Sequence, residues 1–243
     1  MNNFSKQVTD FWNEEMNGDL WYEDDSFTLM INEDLEEDGQ IMLLESADKQ
    51  RVNAVVTSAI MKRIGLMVND SLSESVFLQL LKDAGISLHG ADYIYYYQEE
   101  NKKKLLETAS IETIRLLNAS DAEAFEYFVS SASEQDLDDA YVELDHWVVF
   151  GSFEDGKLVS AASMYPWGDD VKIADLGVLT LPDYRGKGHA RNLVHTICKY
   201  TLQQGYEPQY RCQIDNHASV ALAAASGLTL YGKWDLIASD SII

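Results

Sequence analysis

Six consecutive residues, Arg185-Gly186-Lys187-Gly188-His189-Ala190, hold the types that an anion-binding turn needs. Glycines let the backbone come close to a ligand, and free N–H groups at the start of a helix point at negative charge. Arg185, Lys187 and Arg191 add three cations within seven residues. The spacing departs from both common phosphate motifs. No Gly-Lys-Ser/Thr closes it as in a P-loop, and Arg191 stands where a dinucleotide fingerprint needs its third glycine. A second group is acidic: Glu134, Asp136, Asp138, Asp139, Glu143 and Asp145 precede Trp147, and no Lys or Arg occurs from Leu116 to Gly156. Such carboxylates attract a cationic amine or take its proton, although Asp138 and Asp139 suit a solvated helix face equally well. His146, His189, His195 and His217 lack metal-ligand spacing, so no metal is expected.

These residues need elements to hold them. Ile173, Leu176, Val178, Leu179, Thr180 and Leu181 read as a strand over 171–181, ended by Pro182, which has no N–H to donate. After the glycines, Leu193, Val194, Ile197 and Tyr200 recur at helical spacing, predicting a helix over 188–204. Upstream, a strand is expected over 111–117, a helix opened by Ser120 and a short helix over 134–141. A hairpin follows, turning at Glu154-Asp155-Gly156. Downstream come a strand over 209–214, a helix over 219–226 and a strand over 228–236. In the N-terminal region, helices are expected over 8–16, from Asp48 through Val52, Val55, Val56, Ala59 and Ile60, and over 73–84. Residues 41–45 and 93–97 read as strands, Asn32 to Asp38 as a solvated loop, and the lysine-bearing segment Glu99 to Thr108 as a linker.

Arg185, Gly188 and Ala190 satisfy Arg-x-x-Gly-x-Gly/Ala, and with this motif the chain resembles the GNAT superfamily of acetyl-CoA-dependent N-acetyltransferases. The resemblance runs from about Ile111 to Leu236. Asn216, Ser219 and Leu222, with Gly227-Leu228 downstream, are similar to that family's second signature. The fold class implied is α/β (α+β): a mixed, mostly antiparallel sheet flanked by helices at 109–243, preceded by a smaller α/β region at 1–108 of unassigned role. Acetyl-CoA is the implied co-substrate. Its pyrophosphate would meet Arg185 and the amides of Gly186, Lys187, Gly188, His189, Ala190 and Arg191. Its pantetheine arm would pair with Val178, Leu179 and Thr180 and meet Asn216 and Ser219. Asp175, Glu143 and Asp145 are the candidate bases for the attacking amine. One departure stands out: the tyrosine that protonates the leaving thiolate in many family members is Ala223 here. The donor is then Tyr231, water or no group at all.

The activity implied is acetyl transfer to a primary amine of a small, cationic acceptor by direct attack in a ternary complex. A non-catalytic acyl-CoA sensor is the alternative, and an acidic protein–protein adaptor a third. The chain has 243 residues, 46% hydrophobic content and a net charge of −23. Such an acidic surface repels nucleic acid and anionic membranes, so neither is expected as a partner. Splitting at Thr108 leaves 9 basic against 21 acidic residues before it and 9 against 20 after, so charge marks no special arm. No apolar run reaches membrane length, the start lacks a signal-peptide core, and two cysteines suggest reduced, buried thiols. A cytoplasmic protein is expected, with a homodimer left open.

Overall fold

The computed structural model describes residues 3–67, 72–168 and 170–241. The elements of the first part of the chain are α1 (Lys6–Glu15), β1 (Asp19–Glu23), β2 (Phe27–Ile31), β3 (Ile41–Ser46), β4 (Val52–Val56), α2 (Ser58–Ile64), α3 (Glu74–Asp83), β5 (Asp92–Tyr96) and α4 (Glu99–Leu106). Then follow β6 (Ile114–Leu116), α5 (Ala122–Ser130), α6 (Glu134–Ala140), β7 (Val148–Glu154), β8 (Lys157–Pro166), β9 (Ile173–Thr180), α7 (His189–Gln203), β10 (Glu207–Gln213), α8 (His217–Ala225) and β11 (Thr229–Leu236). Two compact units interleave along the sequence. One comprises Met1–Val8, Tyr95–Cys212 and Asn216–Thr229, the other Thr9–Ile94, Gln213–Asp215 and Leu230–Ile243.

In the second of these units β1, β2, β4, β3 and β11 are neighbours in that order, all antiparallel except β2 with β4. Its core gathers Phe27, Leu29, Ile41, Ala54, Val56, Ile60, Phe77 and Leu81. The helix expected from Asp48 onward is corrected here. Val52–Val56 is a strand between β2 and β3, and the helix begins only at Ser58. Val52, Val55 and Val56 fit helical spacing and strand propensity alike, and two flanking strands with open ladders decide in favour of the strand. Asp48 instead closes the preceding turn, accepting from Ser46 Oγ (2.7 Å) and the Gln50 amide (3.2 Å). Thr57 caps α2 and Ser73 caps α3, each accepting from a backbone N–H three residues on.

The first unit carries the strands relevant to function, in the order β10-β9-β8-β7-β6, antiparallel except for β9 with β10. Side chains alternate between two faces. Phe150 and Ser152 of β7 meet Tyr200 and His189 of α7, so β8's Ser160 and Ala162 and β9's Val178 and Thr180, in register with them, face α7 too. Val149, Ala161 and Leu179 face the other way into a core with Phe125, Phe128, Leu137 and Ala140 of α5 and α6. Gly177 shares that second face. A Cβ there would overlap the Ala140 carbonyl oxygen and sit 2.8 Å from that of Tyr141, so the end of α6 lies directly on β9.

Three further expectations change. Glu99–Leu106 is not a linker but α4, with Leu105 buried and Lys102 bonded to Glu207 (2.5 Å) and Glu99 (2.9 Å). Asn118, not Ser120, starts the first helical stretch of this half: with Asp121 it forms a reciprocal capping box around a single 3-10 turn, Ala119–Asp121, that leads directly into α5. The helix expected from Ser219 begins two residues earlier, as α8 from His217, with Asn216 as its cap.

Candidate active site

The decisive geometry is a fork. β9 pairs with β10 only as far as Leu176↔Tyr210, whereas its register with β8 continues to Thr180↔Ser160. From Gly177 to Thr180, the edge of β9 toward β10 therefore has no strand in register. A cleft of about 500 Å³ opens there. Val178, Leu179 and Thr180 line one side, Tyr210, Asn216, Ser219 and Leu222 the other, and the 185–191 turn closes one end. An extended chain bearing amides would find unpaired backbone groups along β9, as an added strand does.

The turn has the build its sequence suggests. Gly186 and Gly188 adopt φ of 76° and 90°, and a Cβ on either would meet nothing within 4 Å. The glycines thus serve the backbone conformation and leave room in front of it. Gly188 caps α7 without a side chain, no acidic residue stands in the first turn, and the amide of Asn192 is the first to bond back, to Gly188 O (3.0 Å). Gly186, Gly188, His189, Ala190 and Arg191 all line the cleft. Their amides lie at the positive end of a 15-residue helix, an arrangement that suits an anion.

The cations of the turn are engaged within the chain. Arg185 bonds Asp136 (2.7 Å) and the Thr180 carbonyl (3.0 Å). Lys187, which does not line the cleft, bonds Glu154 (2.7 Å) and lies 4.6 Å over the Tyr184 ring. Bonds from Lys187 and His189 hold the Glu154 carboxyl below its ordinary range, and bonds from Ser133 and Arg185 do the same for Asp136. His189 is fixed on both ring nitrogens, by Ser152 Oγ (2.9 Å) and Glu154 (3.0 Å). Arg191 is exposed in the first turn of α7. Asn216 accepts from the Ser219 amide (3.1 Å), so its carbonyl caps α8 while its NH2 group stays available to the cleft.

The three candidate bases lie apart from these residues. Asp175 is 3% exposed and sits on the α6 face of β9, opposite Tyr165 on β8 and Gln209 on β10. Gln209 donates to it (2.5 Å) and in turn accepts from Tyr96, while Arg211 stands 3.5 Å away. Burial pushes its carboxyl up against the opposing pull of Arg211 and Gln209. Glu143 and Asp145 are exposed, and Glu143 lies 3.7 Å from His146 Nε2. Tyr141, His146 and Tyr165 pack together, with ring centroids 4.8 to 5.2 Å apart. Burial raises the Tyr165 phenol to about 12. Glu143 and Asp175 thus flank one aromatic group, while no hydrogen bond ties Asp145 to it.

Two residues matter that sequence reasoning passed over. Burial pushes the His146 imidazole below its ordinary value despite Glu143 and Asp145, and its Nδ1 bonds Ser163 Oγ (2.8 Å). It is an acceptor for a proton at neutral pH, signalled only by a histidine inside an acidic run. Tyr210 lines the cleft at the crotch of the fork, where the β9–β10 register ends. Tyr231, one expected thiolate donor, belongs to the other compact unit, where it stacks on Trp12 at 6.0 Å, and Ala223, which has no donor to offer, is fully buried. Among the described residues no three His, Cys, Asp or Glu group around a metal position, and no helix is long and apolar enough to cross a membrane. Cys198 and Cys212 are buried, and neither is in a disulfide.

Residues 115–228 match the sequence model of the Acetyltransferase (GNAT) family, so the C-terminal half of the chain carries a domain of that family. Among solved structures, one described as a GNAT-family acetyltransferase from Novosphingobium aromaticivorans is similar with a TM-score of 0.50 at 16% identity, over 63% of this chain and 66% of that one. A GNAT-family acetyltransferase from Colwellia psychrerythraea gives 0.49 at 22% identity, over 68% of this chain and 62% of that one. The matches thus span just under two thirds of each structure's length, and the first of them shows a likeness of fold alone. No curated protein matches the sequence.

Proposed function

We propose that the GNAT domain at residues 115–228 makes this chain an acetyl-CoA-dependent N-acetyltransferase, moving an acetyl group to the primary amine of a small, cationic acceptor. The observation that carries the reading is the fork: an unpaired strand edge leading from an amide cradle to a closed crotch. Acetyl-CoA, as substrate, has the matching sequence of groups, a diphosphate, an amide-bearing arm and a thioester. Gly186 to Arg191 would hold the diphosphate, with Arg185 and Lys187 exchanging carboxylate partners for phosphate. Val178, Leu179 and Thr180 would pair with the arm, and Asn216 would donate to it. Residues 109–243 are proposed as the transferase domain, and no role is assigned to 1–108.

On this reading the amine attacks from the α6 face of β9, where the carboxylates lie. Its nitrogen bonds to the thioester carbonyl carbon, the C–S bond breaks, and the ammonium proton passes to a base. Glu143 through His146 is the best placed route, because Glu143 is exposed and His146 is held neutral. Asp175 is buried behind Arg211 and Gln209, so it would act by setting charge at the rear of the site. Asp145 remains a third candidate. The acidic residues on this face would draw a cationic acceptor.

The test has two arms. Saturating acetyl-CoA should raise the melting temperature; a hundredfold excess over Kd stabilises by about 2.7 kcal/mol. Gly188→Glu should abolish the rise, since it forces a side chain into φ 90° and sets a carboxylate among the amides. Thiol release from acetyl-CoA with polyamines, aminoglycosides, amino acids and peptides then identifies the acceptor. Binding with no release from any amine would favour a non-catalytic acyl-CoA sensor, and no binding at millimolar acetyl-CoA would remove both readings.

A further inference from the structure

Arg185 lines the cleft, yet its guanidinium is engaged on two sides. Nε donates to the Thr180 carbonyl (3.0 Å) and Nη2 to Asp136 Oδ1 (2.7 Å). That carbonyl belongs to the open edge of β9. Leu181 donates its amide to Val159 of β8 (3.0 Å), and successive residues of a strand turn their backbone groups to opposite sides, so Thr180 turns its own toward the cleft. Asp136 is fixed independently of Arg185. Its Oδ2 accepts from Ser133 Oγ (2.7 Å), and its amide donates to the same hydroxyl (3.1 Å), which caps α6. One carboxylate oxygen thus serves the helix and the other serves the guanidinium.

We propose that the Arg185–Asp136 pair is an autoinhibitory latch, in which Asp136 occupies the place of a phosphate oxygen and must release Arg185 before a diphosphate can take it. The inference rests on the acetyl-CoA reading of the cleft. Carboxylate and phosphate offer a guanidinium the same charged acceptors, so one can replace the other without new geometry. The side chains of Arg185 and Asp136 are 50% and 29% exposed, so opening the pair strands no buried charge, and Asp136 keeps Ser133. Opening also uncovers the Thr180 carbonyl, an edge acceptor for an amide N–H of the arm. The latch therefore holds back both parts of the ligand at once. Lys187 has no such role: it lies outside the cleft lining, and its partner Glu154 also holds His189.

The experiment measures calorimetric Kd values for coenzyme A and needs no acceptor. A latch closed in about four chains of five weakens apparent affinity about fivefold, the upper end for an exposed ion pair. Asp136→Asn keeps the shape without the charge and should bind coenzyme A about fivefold tighter than wild type. Asp139→Asn controls for general repulsion. Asp139 also lines the cleft but accepts from Gln135 (2.7 Å), and its gain should stay under about twofold. In an Arg185→Gln background, Asp136→Asn should bring no gain. Wild type gives a second readout that needs no substitution: the NMR signal of the Asp136 carboxyl carbon should shift as coenzyme A saturates the protein. Binding by Asp136→Asn no tighter than wild type overturns the latch. So does a gain matched by Asp139→Asn, a gain that survives Arg185→Gln, or an unmoved carboxyl signal. Failure of wild type to bind coenzyme A at millimolar concentration defeats the acetyl-CoA reading instead, and this inference with it.

Discussion

Gly177→Ala is the substitution that most directly tests how α6 is held against β9. The added Cβ would overlap the Ala140 carbonyl oxygen and lie 2.8 Å from the Tyr141 carbonyl oxygen. A comfortable C···O approach is about 3.3 Å or more, so even the looser contact is short by about half an ångström. Both obstacles are backbone, which cannot swing aside as a side chain can. Overpacking of this kind costs about 1–3 kcal/mol, and the rigid neighbours place Gly177 at the upper end. Against this, alanine loses less chain entropy than glycine on folding, a gain of about 0.4–1 kcal/mol. The net is a loss of about 2 kcal/mol. At about 2–4 °C per kcal/mol for a chain of this size, the melting temperature should fall by about 4–8 °C. Gly168→Ala is the control, since its Cβ would meet only Val171 Cγ2 at 3.8 Å. Differential scanning calorimetry of both variants decides the matter: a Gly177→Ala transition within about 1 °C of wild type, or equal to the Gly168→Ala transition, would refute the packing.

Two further outcomes follow from the same half of the molecule. Lys102→Met leaves Glu207 buried without its cation and should cost about 3–5 kcal/mol; Lys102→Met with Glu207→Leu should recover most of it, and equal melting temperatures for single and double variants would contradict the pairing. His146, held neutral by burial, should titrate by NMR below the ordinary histidine value of about 6.5. Glu143 pulls the other way, so Glu143→Gln should move the midpoint lower still, and a midpoint that rises would reverse the assignment. The stability attached to a depressed imidazole is present above the unfolded value and is lost as pH falls through the folded one.

What the sequence made legible was whatever is local in the chain. A strand, a proline, two glycines and an amphipathic helix follow one another between Ile173 and Gln203, and each rests on its own residues. The glycine turn and the start of α7 could therefore be read directly, as could the Glu154-Asp155-Gly156 hairpin and the Ser73 cap. What stayed hidden depends on partners far along the chain. Lys102 looks solvated among its neighbouring lysines until Glu207, 105 residues on, claims it. Val52 to Val56 cannot choose between helix and strand until β2 and β3 are present on either side. Tyr210 gave no signal, because only the end of the β9–β10 register makes it a cleft residue.

The charges of the turn were legible, but their engagement was not, and this changes how an anion would be held. Arg185 meets Asp136 from 49 residues away, and Lys187 meets Glu154 from 33. Two of the three cations are thus neutralised within a chain of net charge −23. Long-range attraction cannot draw in a polyphosphate, since exposed charges are screened beyond about 8 Å at physiological salt and the overall field is repulsive. The grip must be short-range, from amides at the start of α7 that no side chain caps. A bare phosphate would satisfy only those amides and would still meet Asp136 and Asp139 in the lining of the cleft. On the proposed reading, a ligand with an amide-bearing arm would also pair along the edge of β9 beyond Leu176, adding directional bonds that a repulsive field does not weaken. The acidic surroundings therefore select for length and hydrogen-bonding pattern over charge, which is the discrimination a strand-like substrate requires.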